Sequence, residues 1–236
     1  MQAQTHEENE YICSVNKFEF IYESDIEYFQ KKLLDWFQEN GRTFLWRNKS
    51  ATNYELIVSE VFLQRTKAET VSKFLPVFFK KYSSWKQLGD ATELELQEIT
   101  KPLGLFKQRG SRLYKLAQEL KRRKGRFPTE RNQVSEIPMM GQYITNAFEL
   151  YVLKKKSPLL DVNMARLLER FFGKRKLADI RYDPYLQTLA YRVVNIEKSK
   201  ELNWAILDYA SLVCKKQKPD CSNCLIATKC RFVNEI

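Results

Sequence analysis

Four cysteines crowd one end of the chain as Cys214-x6-Cys221-x2-Cys224-x5-Cys230. Any fold the chain adopts must bring this segment round a common point, because four thiolates so close together repel unless a metal centre neutralises them. Disulfides are not expected. The N-terminus, MQAQTHEENEYICSVN, is acidic and polar and reads as neither a secretory signal nor a transit peptide, which points to an intracellular chain with reduced thiols. A zinc site more often shows two C-x2-C knuckles, and one such pair is present here. Cys13, in the acidic leader, reads as a bystander.

The rest of the chain reads as helical. Seven glycines and seven prolines in 236 residues are few for a many-turned β protein, and 44% hydrophobic content supports one large or two small domains. No apolar run approaches the roughly 20 residues of a membrane span. A first helix is expected from Asp25 to Gln38, with Ile26, Phe29, Leu33, Leu34 and Phe37 as its apolar face and Gly41 closing it. Further helices are expected at 70–82, at 92–100, and as a basic helix over 108–124. A last long helix, Glu201 to Cys214, should turn Trp204, Leu207 and Ala210 to a core. Charge is uneven. Residues 101–131 hold eleven Lys or Arg against Glu119 and Glu130, whereas residues 1–30 hold seven acids against Lys17. A solvated helix face is the plain account of the basic run; a polyanionic partner is the alternative.

Residues 137–163 read IPMMGQYITNAFELYVLKKKSPLLDVN. Pro138 and Gly141 punctuate a four-residue hairpin, and Ile144, Ala147, Phe148, Tyr151 and Val152 then recur at helical spacing. A hairpin opening onto a helix N-terminus suits a phosphate oxygen, and Gly141, without a Cβ, lets a backbone come close. Asp161 follows the apolar pair Leu159-Leu160. Such a carboxylate either caps the helix holding Ala165, Leu167, Leu168 and Phe171 or does chemistry. A second odd carboxylate is Glu60, inside the apolar helix YELIVSEVFLQRT over 54–66. A buried carboxylate needs a partner, a proton or a ligand, and an ion pair with a nearby Lys or Arg is the plain alternative.

This hairpin, with an aspartate about twenty residues on, resembles the helix-hairpin-helix DNA glycosylases of the endonuclease III and MutY type. Their motif is a leucine- or valine-proline-glycine-valine-glycine hairpin. Ile137, Pro138 and Gly141 fit it; Met139 and Met140 depart from it. A non-glycine at positive φ costs roughly 1 kcal/mol or more, so a reshaped hairpin is expected. The 6-2-5 cysteine spacing matches the loop that holds a 4Fe-4S cluster in the same glycosylases. The segment Phe44-Leu45-Trp46-Arg47 is similar to their proline-tryptophan-arginine segment, with Trp46 read as packing rather than as a base platform. The resemblance covers about residues 25–230. It implies an all-α fold of two lobes with a cleft between them: a six-helix barrel over 48–157 and a cluster lobe from 23–47 and 158–236, after a flexible tail over 1–22.

The resemblance also implies roles. Asp161 would stabilise positive charge on the deoxyribose, and Glu60 would face the extruded base. Gln64 would fill the gap left by the flipped nucleotide, Arg65 would contact DNA, and Leu105, in a segment similar to the family's glycine-leucine wedge loop, would enter the duplex. Gly141 and Gln142 at the hairpin and Asn163 beside Asp161 complete the expected DNA-binding set. Tyr143 stands where bifunctional members carry a nucleophilic lysine, and a phenol cannot form a Schiff base, so a monofunctional enzyme is expected. A chain ending just past the cluster loop, with tyrosine beside the hairpin, resembles the thymine-DNA glycosylases that act on G·T and G·U mismatches. Asn203-Trp-Ala-Ile-Leu-Asp208 and Arg170-Phe-Phe-Gly173 add to that likeness. Gln64 leans instead toward the adenine glycosylases that act opposite 8-oxoguanine or guanine. A third reading is a DNA-binding relic that has lost catalysis, against which the retained Asp161 and Glu60 speak. The expected partner is double-stranded DNA with a mismatched or damaged base, bound by a monomer in the cytoplasm or nucleoid with no membrane.

Overall fold

The computed structural model describes residues 21–234; Cys13 and nearly all of the expected 1–22 tail lie outside the described residues. In chain order the helices are α1 (Glu23–Asn40), α2 (Asn53–Leu63), α3 (Ala68–Lys81), α4 (Trp85–Asp90), α5 (Glu93–Ile99), α6 (Phe106–Arg122), α7 (Arg131–Ser135), α8 (Gln142–Tyr151), α9 (Val162–Phe172), α10 (Pro184–Val194), α11 (Ser199–Leu212) and α12 (Arg231–Asn234). No strand occurs among the described residues, so the fold is all-α. None of these helices is long and apolar enough to cross a membrane. The described residues divide into two compact units, one of residues 42–159 and one of residues 21–41 with 160–234.

The contiguous unit is built around α2. Tyr54, Ile57, Val58, Ser59, Glu60, Val61 and Phe62 are all buried, as expected of a helix that is apolar nearly all round. Thr52 and Glu55 form a reciprocal capping box at its start. Phe62 packs edge-on against Phe74 and Phe78 of α3 at 5.0 and 4.9 Å. Helices α5 and α6 approach so closely at Gly110 that a Cβ there would meet Gln97 at 2.5 Å. The segment 42–47 also belongs here, which corrects the expected lobe boundary. Phe44 and Trp46 stack at 4.5 Å, and both join this unit's core, so burial of two aromatic rings decides where the segment lies.

The hairpin joins α7 to α8. Met139 adopts φ 68, a left-handed conformation that costs a side chain about 1 kcal/mol or more, while Met140 is buried and its carbonyl accepts from Thr145 Oγ1 at 2.9 Å. A buried polar network fastens the pair of helices. Glu149 accepts from Arg131 Nη1 at 2.5 Å and Ser157 Oγ at 2.9 Å, and Asn146 Nδ2 donates to the Pro158 carbonyl at 2.9 Å.

In the other unit, Phe29 of α1 packs against Phe171 and Phe172 of α9 at 5.0 and 5.2 Å. Trp36 meets Tyr209 of α11 edge-on at 5.0 Å. Helix α11 is buried almost all round, so the expected face of Trp204, Leu207 and Ala210 is too narrow; Leu207 is only half-buried, while Asn203 and Asp208 are buried. The helix ends at Leu212, two residues before Cys214. Beyond Gly173 the chain forms α10, a helix the sequence analysis does not anticipate. Its start is set by Asp183, whose side chain accepts from the Leu186 N–H, with Pro184 in the first turn.

Candidate active site

Glu60 and Tyr143, picked separately from the sequence, meet in the contiguous unit. The Tyr143 hydroxyl donates to Glu60 Oε2 at 2.8 Å, and the Tyr151 hydroxyl donates to Oε1 at 2.9 Å. Glu60 and Tyr151 are buried, while Tyr143 is half-exposed. Tyr143 and Tyr151 lie eight residues apart on one face of α8, opposite α2. Sequence reasoning missed Tyr151, reading it as a core residue. A buried carboxylate is costly unless its oxygens are satisfied, and here phenols contribute to that on both oxygens.

Asp161 lies in the other unit and is the N-cap of α9. Oδ1 accepts from the Asn163 and Met164 N–H groups, each at 2.8 Å, and Oδ2 accepts from Asn163 Nδ2 at 2.7 Å. Burial pushes this carboxyl above the usual carboxylate range, while the three hydrogen bonds and the nearby Arg166 charge pull it down. Arg166 continues the chain of contacts. Its Nη1 donates to Asn163 Oδ1 at 3.1 Å, Nη2 to the Ala210 carbonyl at 2.7 Å and Nε to the Cys214 carbonyl at 3.0 Å. A cap and a chemical role are therefore compatible: the helix N-terminus orients the carboxylate and favours its charge.

The expected DNA-contacting residues fall on turns. Gln64, half-buried, is the C-cap of α2, and Arg65, exposed, has φ 58. Leu105 is 62% exposed with φ 49. The Arg109 guanidinium spans the two turns, donating to the carbonyls of Gly104 and Gln64 and to Thr66 Oγ1. Burial, and then the Arg65 charge, hold Arg109 below its ordinary value. Gly141 caps α8 without a side-chain bond, with half-buried Gln142 next to it.

All four cysteines line one cavity, of about 320 Å³ of empty space including its open mouth, together with Arg170, Ile226 and Phe232. Among the described residues no three His, Cys, Asp or Glu side chains converge to hold a single metal ion. Arg170 Nη1 donates to Cys214 Sγ at 3.3 Å, and the Tyr209 hydroxyl lies 3.2 Å from Cys224 Sγ while accepting from the Leu225 N–H. Burial raises the thiols of Cys221 and Cys230, and neighbouring cysteines add to it. Thiols so placed ionise together only when cationic charge enters among them.

Residues 58–182 match the family described as HhH-GPD superfamily base excision DNA repair protein. A thymine-DNA glycosylase of Aeropyrum pernix is 32% identical over 91% of this chain and 98% of its own length. A thymine/uracil-DNA glycosylase of Pyrobaculum aerophilum is 34% identical over 84% of this chain and 88% of its own. The solved structure of a thermostable thymine-DNA glycosylase superposes with a TM-score of 0.83 at 26% identity, over 90% of this chain and 98% of that one.

Proposed function

The chain belongs to the HhH-GPD superfamily of base excision DNA repair proteins, and we propose that it is a monofunctional DNA glycosylase that removes thymine or uracil mispaired with guanine. The bond broken is the N-glycosidic bond. Water supplies the oxygen that joins C1′, and the products are the free base and an abasic site in DNA. The observation that carries the reading is the Tyr143 hydroxyl resting on Glu60 at 2.8 Å, where a strand-cleaving enzyme would need an amine. The thymine-DNA glycosylases to which the chain is similar over most of its length support the choice of base.

Breaking this bond builds positive charge on the sugar and negative charge on the leaving base, as in other glycoside hydrolysis. Asp161, fixed by three donors, supplies the compensating negative charge. Glu60 is buried and Tyr143 is half-exposed, so the Tyr143 O–H that rests on Glu60 Oε2 can turn to the departing base, exchanging one hydrogen bond for the other. The base must first leave the stack, at a cost of a few kcal/mol that is smaller for a mismatch. Gln64 fills the gap, Leu105 enters the duplex, Arg65 contacts DNA, Gly141 and Gln142 at the hairpin meet a phosphate, and Asn163 also contacts DNA. The enzyme acts as a monomer on the cell's DNA.

The four thiolates suit a 4Fe-4S cluster held by Cys214, Cys221, Cys224 and Cys230. The support is that all four cysteines line one cavity. The Arg170 N–H donor at Cys214 and the Tyr209 hydroxyl beside Cys224 add to it. Such a cluster would cross-link the loop between α11 and α12 and ionise its thiols.

The test is single-turnover base release from duplexes carrying G·T, G·U or adenine opposite 8-oxoguanine, with alkali to reveal abasic sites. Fast release from G·T and G·U, with no borohydride-trapped adduct, is expected. Release from the adenine duplex alone, or a strong adduct, would overturn the reading.

A further inference from the structure

The two turns proposed to enter the duplex are distant in sequence, and each is strained. Gln64 ends α2 and is followed by Arg65 at φ 58; Gly104 and Leu105, at φ 70 and 49, precede α6. Leu105 has no side-chain capping bond to hold it. Backbone bonds hold each turn to its own helix, the Thr66 N–H to the Leu63 carbonyl at 3.2 Å and the Arg109 N–H to the Leu105 carbonyl at 2.9 Å, but these bonds do not tie one turn to the other.

Arg109, in the first turn of α6, reaches both. Its Nε donates to the Gly104 carbonyl at 3.0 Å, and its Nη2 donates to Thr66 Oγ1 at 2.7 Å and to the Gln64 carbonyl at 3.3 Å. The guanidinium is a planar fork whose donors diverge at fixed angles. It can satisfy acceptors on two loops at once, which one ammonium on a flexible stem does poorly. We propose that Arg109 is a positioning residue that locks the Gln64–Thr66 turn to the Gly104–Leu105 turn, so that the gap-filling and wedging side chains enter DNA as one rigid unit. This role rests on the DNA glycosylase reading; the lock itself is a property of the DNA-free protein.

Two variants test it, Arg109→Lys, which keeps the charge, and Thr66→Val, which removes one acceptor and leaves the arginine. In the DNA-free protein, amide hydrogen exchange should quicken at 64–66 and 104–106 together in Arg109→Lys, and to a smaller degree in Thr66→Val. With a 2-aminopurine beside a G·T mismatch, base extrusion should slow on the order of tenfold in Arg109→Lys, the loss expected for a charge-assisted hydrogen bond. Affinity for undamaged duplex, dominated by phosphate contacts, should change by no more than about threefold. Exchange that rises at one turn only, or at neither, overturns the lock. Unchanged extrusion, or an equal loss of affinity and extrusion, overturns its role in DNA entry. If the wild-type protein releases no base from any duplex, the proposed function falls, and the paired exchange still decides the lock.

Discussion

Asn163 hydrogen-bonds Asp161 twice, from its backbone N–H to Oδ1 at 2.8 Å and from its side-chain amide to Oδ2 at 2.7 Å. The same side chain accepts from Arg166 through Oδ1, which fixes the amide so that its NH2 faces the carboxylate. Asn163 therefore selects one orientation of Asp161. Asn163→Ala should slow base release on the order of tenfold or more, the cost of a hydrogen bond to a charged group. The Asp161 cap bonds from the N–H groups of residues 163 and 164 would remain, so the melting temperature should change little. Single-turnover rates beside thermal melts check this; an unchanged rate would show that the orientation is set elsewhere.

The raised pKa of Asp161 gives a paired test of pH dependence. A carboxyl whose pKa is higher folded than unfolded holds its proton more tightly in the folded state. Ionising it costs stability at neutral pH, and that cost is absent below the unfolded pKa. Asp161→Asn should therefore gain stability relative to wild type as the pH is raised from acid to neutral, whatever fixed offset the amide introduces. The same substitution should abolish base release. In the wild type the acid limb of the rate profile should fall above the usual carboxylate range, because the working form is ionised. A melting-temperature difference independent of pH would overturn the account.

Glu60 receives hydroxyls on both oxygens, so its two tyrosines can be separated by mutation. Tyr151→Phe leaves a buried carboxylate oxygen short of a donor, and a loss of stability of about 1–3 kcal/mol is expected. Tyr143→Phe, at a half-exposed position, should cost less stability and more rate. Urea denaturation and single-turnover release on both variants would read this split, and the opposite pattern would place Tyr151 nearest the base.

These contacts mark what the sequence could disclose. The cysteine spacing, the hairpin and the misplaced carboxylates Asp161 and Glu60 are local anomalies, residue types at odds with their neighbours, and each could be singled out from the chain alone. Tyr151, Arg109 and Arg166 carry no such mark. Tyr151 fits an apolar helical face, and the two arginines fit any basic surface; their importance lies in partners 91, 45 and 48 positions away. Among the elements, α10 follows the basic stretch 174–181, but Leu186, Leu189, Ala190 and Val193 keep helical spacing and Asp183-Pro184 signals its start, so it was within reach of the sequence. Helix α4 spans six residues, too few to establish a period. The place of Trp46 depended on which core would cover it, which no local pattern states.

The cysteine cavity predicts composition as well as stability. Anaerobically purified protein should carry iron and acid-labile sulfide in equal amounts, and Cys224→Ser should lower both. Arg170 donates to Cys214 and the Tyr209 hydroxyl pairs with Cys224, so Tyr209→Phe should leave the iron in place and change its visible spectrum or its loss to chelator. Zinc without iron on elemental analysis would overturn the cluster.

Gly141 separates folding from binding most cleanly. Its φ is −65, open to any residue, and a Cβ built on it would meet nothing within 4 Å. The fold gives no steric reason for glycine here, and exchanging glycine for alanine at a helix N-cap costs only about 1 kcal/mol or less. What glycine leaves is empty space above the start of α8, where a backbone phosphate could come close. Gly141→Ala should therefore melt within a few degrees of wild type. Duplex affinity should fall, and the slope of log affinity against log salt should become shallower by about one phosphate contact. Titrations at several salt concentrations measure both quantities. Unaltered affinity and slope would mean that DNA does not approach α8 at this glycine, and the phosphate path would have to be sought elsewhere on the basic surface of α6.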